Sequence, residues 1–165
     1  MNTFTTTEGH SFSTSEWLDL HFDACKTEYE DIVRSIGIQA GWKVLDAGCG
    51  NGRFINVLSE LVTSQGEIEA IDLAKENVVA TEKYMAQESI SAPVHVSVGN
   101  VVSLNFLDQS FDVVLCANVT QYLNDSDLYN ALQEFKRVLK PGGIVAVKEV
   151  DGSAYFFHPT RKTTL

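Results

Sequence analysis

Residues 44–54 have the sequence Val-Leu-Asp-Ala-Gly-Cys-Gly-Asn-Gly-Arg-Phe, in which a short apolar run ends in an acid and continues into three alternating glycines. Such an apolar run is typical of a strand buried on both faces. Gly48, Gly50 and Gly52 lack a Cβ atom, so the backbone can adopt positive φ values and a ligand can approach it closely. A helix that follows such a turn directs unpaired N–H groups toward the ligand. The stretch therefore predicts a cofactor-binding loop.

Strand-like and helix-like segments alternate after this loop. Apolar residues at helical spacing predict helices over 54–62, 75–87 and 128–139, the last of which ends at the Lys-Pro-Gly-Gly sequence of residues 140–143. The alternation predicts an α/β fold. The predicted strands are 42–47, 67–73, 93–98, 111–117 and 144–150.

The residues before the first predicted strand form a helical preface. Residues 1–12 are rich in Thr, Ser and Gly, and we expect them to be loose. Two helices follow, one with Trp17 and Phe22 and a second that ends at Gly37. We expect a helical cap over residues 1–40 and a cofactor-binding domain over residues 41–165, together forming one compact unit.

Composition excludes several classes of protein. The 165 residues with 44% hydrophobic content suit one domain, and a formal net charge of −10 opposes binding to nucleic acid. We see neither an apolar run long enough to span a membrane nor a signal peptide at the N-terminus. Cys25, Cys49 and Cys116 have neither disulfide nor zinc spacing, and the four histidines have no metal spacing. We therefore expect a cytoplasmic protein without a metal.

Two common glycine-loop chemistries do not fit residues 46–52. The nicotinamide fingerprint G-x-G-x-x-G requires a third glycine at position 53, which is Arg53, whereas the third glycine is Gly52. A phosphate-binding loop of the Walker A type requires Lys-Ser or Lys-Thr after the glycines, and neither is present.

The chain resembles the class I S-adenosylmethionine-dependent methyltransferases over residues 40–150, with the ubiquinone-biosynthesis-like branch (methyltransferase type 11) nearest. Its landmarks occur in the family's order: Asp46 to Gly52, Asp72, Gly99-Asn100-Val101, Phe111 to Val114 and Leu139 to Gly143. The resemblance implies a Rossmann-like, doubly wound, mostly parallel sheet. It also implies S-adenosyl-L-methionine as cofactor, S-adenosyl-L-homocysteine as product and in-line methyl transfer to a small-molecule acceptor.

The same resemblance implies roles for individual residues. Asp72 would accept hydrogen bonds from the ribose hydroxyls, and Leu73 would pack on the adenine. Asn100 stands where many relatives carry aspartate, and Asn51 either caps the following helix or also contacts the cofactor. The implied cofactor-binding residues are Asp46, Ala47, Gly48, Gly50, Asn51, Asp72, Leu73, Asn100, Val101 and Asn118.

The acceptor side of the site is less defined by the sequence. Gln121 and Tyr122 follow Asn118 on one loop, and Trp17 with Phe22 forms either a lid or an ordinary core contact. We take Trp17, Gln121 and Tyr122 as candidate substrate residues. The sequence nominates no catalytic base, so the catalytic residues stay unknown.

The resemblance also raises a question about the last strand. Members of the family continue past strand five with a helix and two antiparallel strands, for which residues 151–165 are too few. Strand five would then be an exposed sheet edge, and we expect either a homodimer along it or derivation from a longer protein. Three functions stay open: a methyltransferase, a cofactor-binding module without activity of its own, and an NAD-dependent oxidoreductase.

Overall fold

The computed structural model describes residues 3–5 and 11–149, with the backbone alone for residues 3–5, 11–13 and 15–17. Predictions concerning His10, His158 and the residues after Glu149 lie outside this range. The elements in chain order are β1 (Thr3–Thr5), β2 (Ser11–Ser13), α1 (Ser15–Ala24), α2 (Lys26–Ser35), β3 (Lys43–Ala47), α3 (Ile55–Val62), β4 (Glu67–Asp72), α4 (Lys75–Met85), β5 (Val94–Val98), β6 (Phe111–Ala117), a 3-10 turn (Thr120–Tyr122), α5 (Asp125–Val138) and β7 (Leu139–Lys148).

Five parallel strands form the central sheet, in the order β5-β4-β3-β6-β7. The chain starts this sheet in the middle at β3, proceeds outward through β4 and β5, and returns to β6 on the other side of β3. The direction of winding therefore reverses between β3 and β6. In open parallel sheets, ligands bind at the carboxyl ends of the strands at this reversal point. The predicted Rossmann-like parallel sheet is confirmed.

Apolar side chains cover both faces of the sheet. On one face, Leu45, Val114 and Phe111 pack with Phe135 and Val138 of α5. The other face packs against α2 and α3 through a second cluster of buried residues, which comprises Val33, Ile38, Val44, Val57, Leu58, Val62, Ile68, Ala92, Val113 and Leu115. Burial on both faces explains why β3 and β6 are almost continuously apolar.

Three expectations about local structure are corrected. Residues 1–12 are not entirely loose, because β1 and β2 pair as an antiparallel ribbon. The fifth sheet strand begins at Leu139, directly after α5, and its pairing with β6 shifts register between Phe111 and Val113. Leu132, one of the apolar residues whose helical spacing predicts the helix over 128–139 and a face packed on the sheet, is 42% exposed.

Candidate functional site

The glycine loop after β3 is fixed by backbone hydrogen bonds. Gly48, Gly50 and Gly52 have φ values of 92°, 56° and 84°, a region that side-chain-bearing residues resist. The N–H groups of Gly48 and Cys49 both donate to the carbonyl oxygen of Ile71 at 2.8 Å. The loop is therefore attached to β4, and its glycines are required by conformation.

Asp72 ends β4 and holds three separate segments together. One carboxylate oxygen accepts the N–H of Gly50 at 2.9 Å, and the other accepts the N–H of Ala74 at 2.9 Å and the side-chain amide of Asn77 at 3.0 Å. Burial raises the pKa of Asp72 above its ordinary value, and the three hydrogen bonds offset only part of this increase. Because a carboxylate offers about four acceptor positions, Asp72 retains the capacity for a further donor.

Asp46 is a buried carboxylate with an unused oxygen. Its side chain is 1% exposed, and its Oδ2 atom has no hydrogen-bond partner among the described residues. Burial, reinforced by the negative charge of Asp72, raises the pKa of Asp46 to about 7. An unpartnered buried oxygen is costly, and this one lies in the strand that leads directly into the glycine loop.

Helix α1 lies across the loop. Leu18 approaches within 3.5 Å of the position that a Cβ atom on Gly50 would occupy, and the side-chain amide of Asn51 donates to Asp19 at 2.9 Å. Arg53 forms ion pairs with Asp19 at 3.4 Å and with Asp23. The prediction that Asn51 caps the next helix is wrong, because α3 begins at Ile55 with Phe54 at the N-cap position. Asn51 instead ties the loop to α1.

The predicted adenine-side residues follow β4 and β5. Leu73 is half-buried and Val101 is buried, whereas Asn100 is exposed. The side-chain oxygen of Asn100 accepts the N–H of Val102 at 3.1 Å, and the N–H of Gly99 donates to the carbonyl oxygen of Asp72 at 2.9 Å. The ends of β4 and β5 are thus joined next to Asp72.

Asn118 follows β6 in a strained conformation. Its φ value of 58° lies in the left-handed region, and its side-chain oxygen accepts a 2.7 Å hydrogen bond from Nζ of Lys148. Gln121 donates to the carbonyl oxygen of Asn118 at 3.0 Å, and Tyr122 is 50% exposed. Strain of this kind in a non-glycine residue is concentrated at functional sites. The side chain of Trp17 lies outside the described residues.

The sequence did not nominate Lys148, His21 or Tyr29 for the site. Lys148 ends β7, and its Nζ atom lies 4.0 Å from the centroid of the Tyr29 ring in α2. The Tyr29 hydroxyl forms a 2.7 Å hydrogen bond with Nε2 of His21 in α1. A charged residue at the end of the apolar strand Ile-Val-Ala-Val-Lys was the available signal for Lys148.

One group of potential metal ligands occurs within the described part of the chain. Oxygen or nitrogen atoms of Glu67, Glu69 and His95 lie within 4.8 Å of one another at the protein surface. However, Nζ of Lys43 already pairs with Glu67 at 3.1 Å and with Glu69 at 3.4 Å. One ammonium thus offsets part of the charge of the two carboxylates, and the predicted absence of a metal stays a prediction.

The family of the chain follows from comparison with known proteins. The family model described as "Methyltransferase domain" matches residues 44–143, which include the glycine loop, Asp72 and Asn118. The chain belongs to this methyltransferase domain family. The predicted resemblance is confirmed, and with it S-adenosylmethionine as the cofactor.

Curated relatives are longer than this chain. Demethylmenaquinone methyltransferase from Staphylococcus aureus (strain MRSA252) is 36% identical over 135 residues, covering 79% of the chain and 52% of the relative. The same enzyme from strain JH9 is 35% identical over the same number of residues and with the same coverage. The chain thus spans about half the length of these curated relatives.

Solved structures give the same fold. A SAM-dependent methyltransferase from Aquifex aeolicus superposes with a TM-score of 0.70 at 25% identity, covering 79% of this chain and 68% of that chain. The [4+2]-cyclase SpnF superposes with a TM-score of 0.66 at 27% identity, covering 74% of this chain and 44% of that chain. This methyltransferase-type fold therefore also occurs in a protein whose name describes another reaction. In the described part of the chain, every helix is too short or too polar to cross a membrane.

Proposed function

We propose that this chain transfers the methyl group of S-adenosylmethionine to a small-molecule acceptor by in-line displacement. The observation that carries the proposal is the buried, unpartnered Oδ2 atom of Asp46 beside the left-handed glycine loop. The cationic amino group of the cofactor's methionine portion is a chemically suitable partner for this oxygen. The residues present therefore fit the cofactor.

The residues proposed for the remaining cofactor contacts lie at the carboxyl ends of the same parallel strands. Asp72 would accept a ribose hydroxyl at its free acceptor position, and Gly48 to Asn51 would line the methionine portion. Leu73 and Val101 would cover the adenine ring, with Asn100 at its edge and Asn118 near the transferred methyl group. The bound cofactor supplies a methyl group already activated on a sulfonium. The protein's own task is to align the acceptor, for which proximity alone can contribute about 7–11 kcal/mol.

We propose an aromatic acceptor of the quinol type. The support is the 36% identity to a demethylmenaquinone methyltransferase. Phe22, Tyr29 and Phe54 contact one another, with ring centroids 5.3–5.9 Å apart. Phe22 and Tyr29 are buried, so this cluster packs α1 and α2 onto Phe54 at the end of the glycine loop.

A second candidate function is cofactor binding without activity in this chain alone. The match to about half of each curated relative favours it.

Two experiments separate these functions. Calorimetric titration with S-adenosylmethionine, S-adenosylhomocysteine and NAD tests the cofactor, and a preference for NAD would end both proposals. Transfer of a radiolabelled methyl group to a reduced demethylated naphthoquinone, and to a cell metabolite extract, tests the activity. Tight cofactor binding without label transfer to either would favour the binding module.

We further propose a homodimer through the β7 edge and a cytoplasmic location. β7 is the last strand of the described sheet, and its Val145 and Val147 are 39% and 48% exposed. Among residues 3–5 and 11–149, no strand pairs with the outer side of β7, and an unpaired strand with exposed valines favours pairing with a second copy. Cys25, Cys49 and Cys116 are free thiols, which suits a reducing compartment. The net charge of −10 supports a partner other than nucleic acid.

A further inference from the structure

Lys148 occupies an unusual position for a lysine. It is half-buried at the carboxyl end of β7, beside the end of β6 and on the sheet face covered by α2. Lys43 is also half-buried, but it pairs with two glutamates. Among the lysines in residues 11–149, Lys148 alone combines partial burial with the lack of a carboxylate within 4.0 Å. A sheltered, unpaired cation in a protein of net charge −10 requires an explanation.

The ammonium group of Lys148 is held from two sides. Its Nζ atom donates to the side-chain oxygen of Asn118 at 2.7 Å and lies over the face of the Tyr29 ring. The N–H of Asn118 in turn donates to the carbonyl oxygen of Lys148 at 2.7 Å, which fixes the strained residue against the strand. Of the three N–H donors on this ammonium, described residues accept one. The Tyr29 ring covers the ammonium from a second side, which leaves part of its donor capacity for a ligand.

Three titratable groups, Glu149, Cys25 and His21, interact electrostatically with Lys148. Burial lowers the pKa of Lys148 below its ordinary value, and the charges of Glu149, the next residue, and of Cys25 between α1 and α2 offset only part of this decrease. Burial and then the charge of Lys148 lower the pKa of His21, which favours its neutral form. An anionic ligand oxygen would offset the cost of burying the ammonium and restore its ordinary ionisation.

We propose that Lys148, oriented by Asn118 and Tyr29, binds a negatively charged oxygen of the methyl acceptor. This inference rests on the proposed methyltransferase function and narrows it to acceptors with an ionised hydroxyl or carboxylate. Lys148 ends β7 and is hydrogen-bonded to Asn118, which the proposed function assigns to the region of the transferred methyl group. Lys148 is thus a specificity-determining residue.

A coloured phenolate tests this inference directly. The probe is 4-nitrophenol, titrated into protein saturated with S-adenosylhomocysteine, because its absorbance reports both binding and ionisation. We expect the wild-type protein to bind the phenolate form in preference to the phenol. Lys148→Met, which preserves length but removes charge, should weaken phenolate binding about tenfold or more. Lys148→Arg should retain most of it.

A matched control and a second readout separate the outcomes. Lys83→Met removes one exposed charge on α4 and should leave phenolate binding unchanged. Binding of S-adenosylhomocysteine, measured by calorimetry, should change by less than about twofold in all variants. Absent binding of S-adenosylhomocysteine to the wild type would defeat the proposed function itself. Equal phenolate affinity in the wild type and Lys148→Met, or no saturable phenolate binding by the wild type, would overturn the role of Lys148 while leaving cofactor binding intact.

Discussion

The backbone N–H of Gly50 donates to Oδ2 of Asp72 at 2.9 Å, which joins the loop after β3 to the end of β4. The same carboxylate accepts from Ala74 and Asn77 at the start of α4. Asp72 therefore shapes the glycine loop in addition to any contact with the cofactor. Its replacement has two separable effects, on the affinity for the cofactor and on the stability of the fold.

Replacing Asp72 with alanine should weaken S-adenosylmethionine binding by about 1–3 kcal/mol, the scale of a lost hydrogen bond to a charged group. It should also lower the free energy of unfolding, because the N–H of Gly50 loses its acceptor. Calorimetric titration and chemical denaturation measure the two effects separately. Glu76→Gln, an exposed neighbour on α4, serves as the control for loss of negative charge. An unchanged affinity in Asp72→Ala would remove this residue from the cofactor site.

Stability without cofactor should fall as pH rises toward neutrality. Asp46 has a folded-state pKa of about 7 against an unfolded value of 3.8, so the folded state retains a proton that the unfolded chain releases. This contribution is fully present below about pH 4 and is lost as pH rises through about 7. Chemical denaturation between pH 4 and 8 measures the free energy of unfolding. This free energy should decline less steeply with rising pH for Asp46→Asn than for the wild type. Equal slopes would contradict a raised pKa at Asp46.

Cofactor affinity should have the opposite pH dependence. The ionised form of Asp46 attracts the cofactor's amino group, so affinity should rise as pH increases through about 7, by up to about tenfold per pH unit below the pKa. Calorimetry in two buffers of different ionisation enthalpy would detect the accompanying proton release. Asp46→Asn should bind weakly and without this pH dependence. A wild-type affinity that stays constant from pH 5 to 8 would argue against the contact.

Two glycines with similar backbones should respond differently to alanine. Gly48 and Gly142 have φ values of 92° and 82°, so either substitution costs about 1–2 kcal/mol of left-handed strain. A Cβ atom on Gly48 would also lie 2.3 Å from Cγ2 of Val119, whereas one on Gly142 would meet nothing within 4 Å. Gly48→Ala should therefore be more destabilising by a further 1–3 kcal/mol, roughly.

Chemical denaturation measures this difference. The double variant Gly48→Ala with Val119→Ala should recover part of it, because the clashing methyl group is removed. If Gly48→Ala and Gly142→Ala are equally stable, Val119 does not restrict the loop.

A charge at the β7 edge should prevent self-association. Val147→Lys places an ammonium on the exposed strand, which opposes pairing with a second copy. Sedimentation velocity over a range of concentrations should show a dimer for the wild type and a monomer for this variant. Val98→Lys is the matched control, because Val98 is 54% exposed on β5 at the opposite edge of the sheet. A wild type that is monomeric at all concentrations would refute the proposed dimer.

Sequence patterns predicted the parts of the molecule that depend on neighbouring residues. The bounds of β6 at Phe111–Ala117 match the prediction, and the end of α2 before Gly37 does so as well. Both follow from local signals, namely a continuous apolar run and a left-handed glycine. Leu132 is exposed although its spacing matches the apolar face of α5. Helical spacing predicts which residues share a face, but it does not predict how much of that face the sheet covers.

The polar part of the site was less predictable for a different reason. Asn118 and Lys148 are 30 residues apart in the chain, and Tyr29 is further still, so their contacts exist only after the sheet has formed. The start of α3 at Ile55 was likewise set by the bonds of the loop to Ile71 and Asp72. Spacing in the sequence contains no direct signal for such pairings.

The position of β3 at the centre of the sheet has a consequence for folding. Its neighbours β4 and β6 are parallel strands, and the N–H of Lys43 pairs with the carboxylate of Asp112, 69 residues later. Pairings across such sequence distances form slowly, because the entropy cost of closing a long loop comes before any stabilising contact forms. The glycine loop after β3 therefore lacks one of its two neighbouring strands until β6 has paired with β3. A nascent chain released before Ala117 would carry the glycines without the pocket, and cofactor binding during refolding would report the last stage of assembly.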